Sequence, residues 1–137
     1  MHVLLVRHAE AAPGQPDDLR PLTPNGREQA LRLGERLRED GVRADVVLTS
    51  PLLRARETGQ LIARKLGAEV AVAEELAPGA TAESLARAVR DAMGPGAGTV
   101  IAVGHQPDCG RIAAALTGDP EPAFPPAGAL TINLSAS

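Results

Sequence analysis

The sequence of 137 residues contains no tryptophan, no tyrosine and a single phenylalanine, Phe124. Any core must therefore be assembled from Leu, Val, Ile and Ala, and stacking of nucleic-acid bases on aromatic platforms is excluded. A net charge of -3 also argues against nucleic acid as a partner, although arginines gather near the ends of predicted strands. One cysteine, Cys109, allows no disulfide within the chain and no Cys-rich zinc site, and it points to a reducing compartment, the cytoplasm. No apolar run approaches the roughly 20 residues of a membrane span, and the first residues lack the basic-then-apolar layout of a signal peptide. A soluble cytoplasmic protein without a membrane partner is expected. Repeats and low-complexity tracts are absent as well, and the length suits one domain, 1–137, able to bury about two-thirds of its unfolded surface.

Several catalytic signatures are missing. The Walker pattern, the His-Glu-x-x-His zinc pattern and the Gly-x-Ser-x-Gly elbow do not occur. The glycine-rich run 94–98 precedes a predicted strand, whereas a phosphate-cradling glycine loop follows one. Cys109 lacks the arginine that a cysteine phosphatase requires, because that position is Ala115, so a small buried thiol is expected.

What is present is an alternation of apolar runs with amphipathic segments. Val3-Leu4-Leu5-Val6 reads as a strand buried on both faces that stops at Arg7 and His8. A polar loop, Ala11 to Leu22, is long enough to point to function and carries Arg20. Thr23-Pro24 caps a helix whose face holds Ala30, Leu33, Gly34 and Leu37, with Gly41 ending the segment and Glu28 pairing with Arg32 on the solvent side. Asp45 to Thr49 is a second strand, and Ser50-Pro51 restarts a helix by the same cap-plus-proline device, with Leu53, Leu61, Ile62 and Leu66 on its apolar side. Val70 to Ala73 is a third strand, Glu74 to Ala80 a loop, and Thr81 caps a helix through Met93. Thr99 to Gly104 is a fourth strand ending in His105, and Asp108 to Leu116 a further helix. Leu130, Ile132 and Leu134 alternate with Thr131, Asn133 and Ser135, the period of a half-exposed edge strand. This order predicts an α/β protein, a three-layer αβα sandwich around a mainly parallel sheet of about five strands with the C-terminal one at an edge.

In a parallel sheet, His8, the segment from Ser50 to Arg56 and His105 all emerge at the carboxyl edge, where open α/β sheets bind ligands. Arg54 and Arg56 lie near a helix start, where the macrodipole disfavours a cation unless an anion binds there too. For Arg56 the alternative of a solvated side chain paired with Glu57 is preferred. Two histidines and at least two arginines without a carboxylate cluster suit a phosphoryl group: guanidinium offers paired donors to its oxygens, and imidazole can attack phosphorus. The arginines should also depress a histidine pKa and keep its lone pair free. His2 reads as a satisfied polar contact. A metal held by His8, His105 and Asp108 is the rival, disfavoured by the adjacent arginine charge; no metal and no cofactor is assigned.

Three segments resemble the histidine phosphatase superfamily, which includes the cofactor-dependent phosphoglycerate mutases. Val6-Arg7-His8-Ala9-Glu10 is similar to its Arg-His-Gly signature, with Ala9 in place of the more common glycine. Leu48 to Thr58 is similar to its Ser-Pro-x-x-Arg-Ala-x-x-Thr segment, and Val103-Gly104-His105 to its third motif. The short length, Arg20-Pro21-Leu22-Thr23-Pro24-Asn25-Gly26 and Leu76-Ala77-Pro78-Gly79 resemble its small phosphohistidine phosphatase branch.

The resemblance implies a metal-independent phosphatase in which His8 is the nucleophile and Arg7, Arg54 and His105 hold the phosphoryl oxygens. Arg20 and Glu10 are further candidates for substrate binding, and Glu74 and Glu75 for a general acid, although the chain lacks the insertion that surrounds that acid in larger members. The expected substrate is phosphohistidine on a protein, whose labile phosphorus–nitrogen bond needs little protonation. A phosphorylated small metabolite, or phosphate binding without turnover, are the alternatives.

Overall fold

The computed structural model describes residues 1–96 and 98–134. Apolar side chains alternating to opposite faces of β1 (His2–Arg7) set the layering: Val3 and Leu5 point to one side of the sheet, Leu4 and Val6 to the other. The chain continues through α1 (Pro24–Glu39), β2 (Val46–Thr49), α2 (Leu53–Leu66), β3 (Val70–Val72), α3 (Ala82–Met93), β4 (Thr99–Gly104), α4 (Asp108–Thr117) and β5 (Ala129–Asn133). Short 3-10 turns at Asp17–Leu19 and Glu74–Leu76 lie in the first long loop and in the segment expected to be a plain loop.

The five strands run in the order β3-β2-β4-β1-β5. β3, β2, β4 and β1 are parallel, and β5 closes the sheet antiparallel to β1 with His2 opposite Asn133. The mainly parallel sheet with an edge strand at its C-terminal end is thus the expected one. Ser135 of the predicted alternation and Ala97 of the glycine-rich run fall outside the described residues. Leu4, Val6, Val47, Ile101 and Val103 pack on Ala30, Leu33, Leu37, Leu61 and Ile62 of α1 and α2. Val3, Leu5, Leu48, Val100 and Ala102 pack on Leu85, Val89, Ile112 and Phe124 on the opposite side. Each fully buried aliphatic side chain stabilises this arrangement by about 1.5–3 kcal/mol, so the two faces hold the sheet rigid beneath its carboxyl edge. Among the described residues no helix is long and apolar enough to cross a membrane.

Two helix starts follow the sequence and one departs from it. Thr23 accepts from Gly26 N–H at 2.9 Å with Pro24 behind it, and Thr81 forms a capping box with Ser84. In α2, however, Leu52 stands at the cap position without a side-chain bond, and Ser50 lies outside the helix. The Ser50 hydroxyl is engaged by a histidine instead, as described below.

A close approach ties α1 to the first strand. A Cβ at Gly26 would overlap the Glu10 carbonyl oxygen, so only glycine lets the first turn of α1 lie against the backbone that follows β1.

Candidate active site

β4 lies between β1 and β2, so the residues that follow these three strands are neighbours in space. Adjacent strands are about 4.8 Å apart, and the rings of His8 and His105 accordingly have centroids 5.2 Å apart with 57° between their planes. The ladder extends just past the strand ends: His8 N–H donates to Gly104 C=O at 3.0 Å and Ser50 N–H to Val103 C=O at 3.0 Å. His8 and Ser50 are therefore tied by their backbones to β4, which His105 follows directly.

His8 Nδ1 lies 2.7 Å from the Ala9 carbonyl oxygen. A carbonyl can only accept, so Nδ1 carries the proton and Nε2 keeps its lone pair. Burial, together with the charges of Arg54, Arg7 and Arg20, lowers the His8 pKa from 6.5 to about 4, outweighing the Ala9 bond that raises it. The ring is neutral at physiological pH. The Ala9 peptide is itself fixed, because Ala9 N–H donates to Thr58 Oγ1 at 3.0 Å and the Thr58 hydroxyl donates to Arg54 C=O at 2.7 Å.

His105 is 5 % exposed, and its Nε2 lies 2.7 Å from Ser50 Oγ. Leu52 N–H donates to the same oxygen at 3.2 Å, so Ser50 Oγ ties the His105 ring to the start of α2. The other ring nitrogen of His105, Nδ1, is buried and has no partner among the described residues. Burial, His8 and Arg54 lower the His105 pKa to about 4, with Asp17 opposing the shift.

The arginines differ in their surroundings. Arg7 donates from Nη1 to Phe124 C=O at 3.0 Å, while its Nε is buried without a partner. Arg54, at the second position of α2, is buried and donates from Nη1 to Asp17 C=O at 2.9 Å and from Nη2 to Asp17 Oδ2 at 3.2 Å. Arg20 donates from Nε to Ala12 C=O at 2.8 Å and from Nη1 to Asp17 Oδ1 at 2.9 Å. Together, neutral imidazoles and guanidinium groups that act on the same His8 ring form a site suited to a tetrahedral oxyanion.

Other expected residues are engaged elsewhere. The Glu10 carboxylate accepts from Thr23 Oγ1 at 2.8 Å and Asn25 Nδ2 at 3.1 Å, at the start of α1. Glu74 and Glu75 occupy the 3-10 turn after β3, with Glu74 exposed and Glu75 half-buried, and neither carboxylate forms a hydrogen bond among the described residues. The expected Arg56–Glu57 pair is absent: Glu57 accepts from Leu22 N–H at 2.8 Å and pairs with Arg27 at 3.5 Å, leaving Arg56 Nε buried and unpartnered. Neighbouring residues on a helix point about 100° apart, which makes such a pair geometrically poor. His2 is exposed at the amino end of β1 rather than held in a polar contact.

Asp108 accepts from Gly79 N–H at 2.8 Å. No group of three or more His, Cys, Asp or Glu is arranged to hold a metal ion among the described residues. Cys109 is buried, and desolvation together with Asp108 pushes its thiol pKa up to about 12, so it is an inert packing residue.

Sequence reading missed three contributors. Ser50 and Thr58 lie inside the quoted motif segment, but their hydroxyls gain meaning only across strands. Asp17 stands three residues before Arg20, a spacing at which a turn brings the two together.

Comparison with known proteins agrees with this geometry. A sequence model of the histidine phosphatase superfamily (branch 1) matches residues 3–79. An uncharacterised Picosynechococcus protein is 39 % identical over 121 residues, covering 85 % of this chain and 73 % of that one. The mitochondrial serine/threonine-protein phosphatase Pgam5 of Drosophila simulans is 44 % identical over 69 residues, which span 50 % of this chain and 24 % of Pgam5. The structure of the protein histidine phosphatase SixA complexed with tungstate superimposes with a TM-score of 0.87 at 29 % identity, covering 99 % of this chain and 90 % of SixA. With a matching sequence model, three motif segments meeting at one sheet edge and a near full-length structural likeness, the chain belongs to the histidine phosphatase superfamily, in its small SixA-like branch.

Proposed function

We propose that the protein dephosphorylates phosphohistidine on a protein substrate, without a metal, through a phosphohistidine intermediate on His8. The observation that carries this reading is the bond from His8 Nδ1 to the Ala9 carbonyl, which leaves a neutral ring with a free Nε2 beside three guanidinium groups.

In the first step the Nε2 lone pair attacks phosphorus, a new phosphorus–nitrogen bond forms, and the bond to the substrate ring, protonated on its other nitrogen, breaks with its electron pair left on the phosphorylated nitrogen, so that a neutral imidazole departs. The Nδ1–H bond to Ala9 stabilises the positive charge that develops on the His8 ring. Arg7, Arg54 and His105 hold the phosphoryl oxygens, which gain charge density as the group is transferred. In the second step water attacks the phosphorus, the bond to His8 breaks, and inorganic phosphate departs as the neutral ring is restored. A departing imidazole that already carries a proton on its other nitrogen needs little further protonation in the transition state, which suits a site where neither Glu74 nor Glu75 is held by a hydrogen bond among the described residues. The likeness to SixA, a protein histidine phosphatase, supports this substrate over a sugar or aryl phosphate.

Incubation with a phosphohistidine protein, a sugar phosphate and an aryl phosphate tests the proposal. The phosphohistidine protein should be turned over with the highest kcat/KM, with transient label on the enzyme. His8→Ala should abolish both turnover and labelling. An active His8→Ala variant would refute the nucleophile, preference for the sugar phosphate would make the protein a phosphomonoesterase, and binding without turnover would make it a phosphate-binding module. Activity lost to a chelator and restored by a divalent cation would overturn metal independence.

A further inference from the structure

A carboxylate already sits on the solvent side of the arginine cluster. Asp17 Oδ2 accepts from Arg54 Nη2 at 3.2 Å, and Oδ1 accepts from Arg20 Nη1 at 2.9 Å, so one side chain bridges both guanidinium groups. The Arg54 side chain is 9 % exposed and that of Asp17 is 59 % exposed, which puts the carboxylate outside the cation it pairs with. This is no wandering surface contact. The Asp17 carbonyl also accepts from Arg54 Nη1 at 2.9 Å, and the loop that carries it is closed at its base by the Ala11–Leu22 bridge and by Ala12 N–H donating to Pro21 C=O at 2.8 Å. Hydrogen bonding to Arg20 and the charge of Arg54 hold the Asp17 carboxyl below its usual range, so it is ionised wherever the enzyme would work.

We propose that Asp17 is a specificity-determining residue, a built-in anionic competitor that shares Arg54 with the phosphoryl group. This rests on the phosphatase reading above. A phosphoryl oxygen approaching the Nη2 edge of Arg54 must displace Asp17 Oδ2 or lie beside it, and either course costs binding energy. A dianion suffers most from the added repulsion. Inorganic phosphate is therefore held loosely and leaves readily after hydrolysis, while a phosphoprotein compensates through contacts outside the cleft. The opposite possibility, that Asp17 serves only to orient Arg54, predicts weaker anion binding once the carboxylate is removed.

Calorimetric titration with inorganic phosphate separates the two. Asp17→Asn keeps the side-chain shape and the carbonyl contact to Arg54 but removes the charge, and its Kd for phosphate should fall about three- to ten-fold, with the gap narrowing at high salt. Asp18→Asn makes the same charge change in the same turn, at a residue with no hydrogen bond or ion pair among the described residues, and should leave Kd within about twofold of the unsubstituted protein. Unchanged or weaker binding by Asp17→Asn overturns the inference, as does equal tightening by both variants. Absence of turnover of a phosphohistidine protein by the unsubstituted protein would overturn the phosphatase reading instead, so the two failures are distinguishable.

Discussion

Ser50 and His105, 55 residues apart in the chain, share a buried hydrogen bond of 2.7 Å between Oγ and Nε2, and Leu52 N–H donates to the same oxygen. The bond joins the end of β2 to the end of β4. It holds the ring of the second histidine in place and leaves Nδ1 without a partner among the described residues.

Removing that hydroxyl should therefore impair catalysis more than anion binding. Ser50→Ala leaves His105 free to rotate, and displacement of a catalytic group by about 1 Å is enough to cost about a hundred-fold in rate. We expect kcat for a phosphohistidine substrate to fall about ten- to a hundred-fold, with a loss of about 1–3 kcal/mol in stability from the unpaired buried nitrogen. A role through His105 also requires non-additivity: in a His105→Ala background the second substitution should reduce kcat no further. Independent, multiplying losses would show that Ser50 acts by another route.

The two histidines also make stability depend on pH in a defined window. Both have folded pKa values near 4, below the ordinary 6.5, so between these limits the unfolded chain binds more protons than the folded one. Stability is then fully present above about pH 6.5 and declines as the pH falls toward 4. The urea midpoint should drop across that interval beyond what the carboxylates cause, and His8→Gln should flatten the drop. Activity has a matching limb, since protonation of His8 removes the lone pair: kcat/KM should fall below about pH 4 to 5 and show no inflection near 6.5 from this residue. Titration of the His8 ring near 6.5, followed by NMR, would contradict the burial-driven shift.

Most of the architecture was legible because the strands carry their own signals. Val3 to Val6 and Val100 to Val103 are continuous apolar runs, Thr23 and Thr81 cap the helices that follow them, and a β-α alternation allows few topologies. His8 and His105 were legible because each follows a strand directly, and Arg54 because it stands in the first turn of a helix, where a cation is otherwise disfavoured. What was not legible depends on strand order and loop course. That β4 inserts between β1 and β2 cannot be read from local pattern, yet it is what brings Ser50 to His105 and so diverts that serine from capping α2. The Asp17 bridge depends on how the loop 11–22 folds back over Arg54, and Glu10 looked available only because its partners, Thr23 and Asn25, approach through the Gly26 contact.

Thr58 makes the last of these cross-element dependencies testable. Its hydroxyl is fully buried, accepts from Ala9 N–H and donates to Arg54 C=O, so a single oxygen links the peptide that orients His8 to the helix that bears Arg54. Thr58→Val preserves shape but removes both bonds, leaving the buried Ala9 N–H unsatisfied at a cost of about 1–3 kcal/mol. The Ala9 peptide is then free to tilt, and its carbonyl loses its fixed aim at His8 Nδ1. Thermal denaturation should show a lowered Tm, and trapping of the labelled enzyme should show slower formation of phosphorylated His8. Thr58→Ser retains the hydroxyl while losing only a methyl group, so it should recover most of the labelling rate even where packing keeps its Tm low. If Thr58→Ser labels as slowly as Thr58→Val, packing by the methyl group rather than the hydroxyl bridge positions the nucleophile.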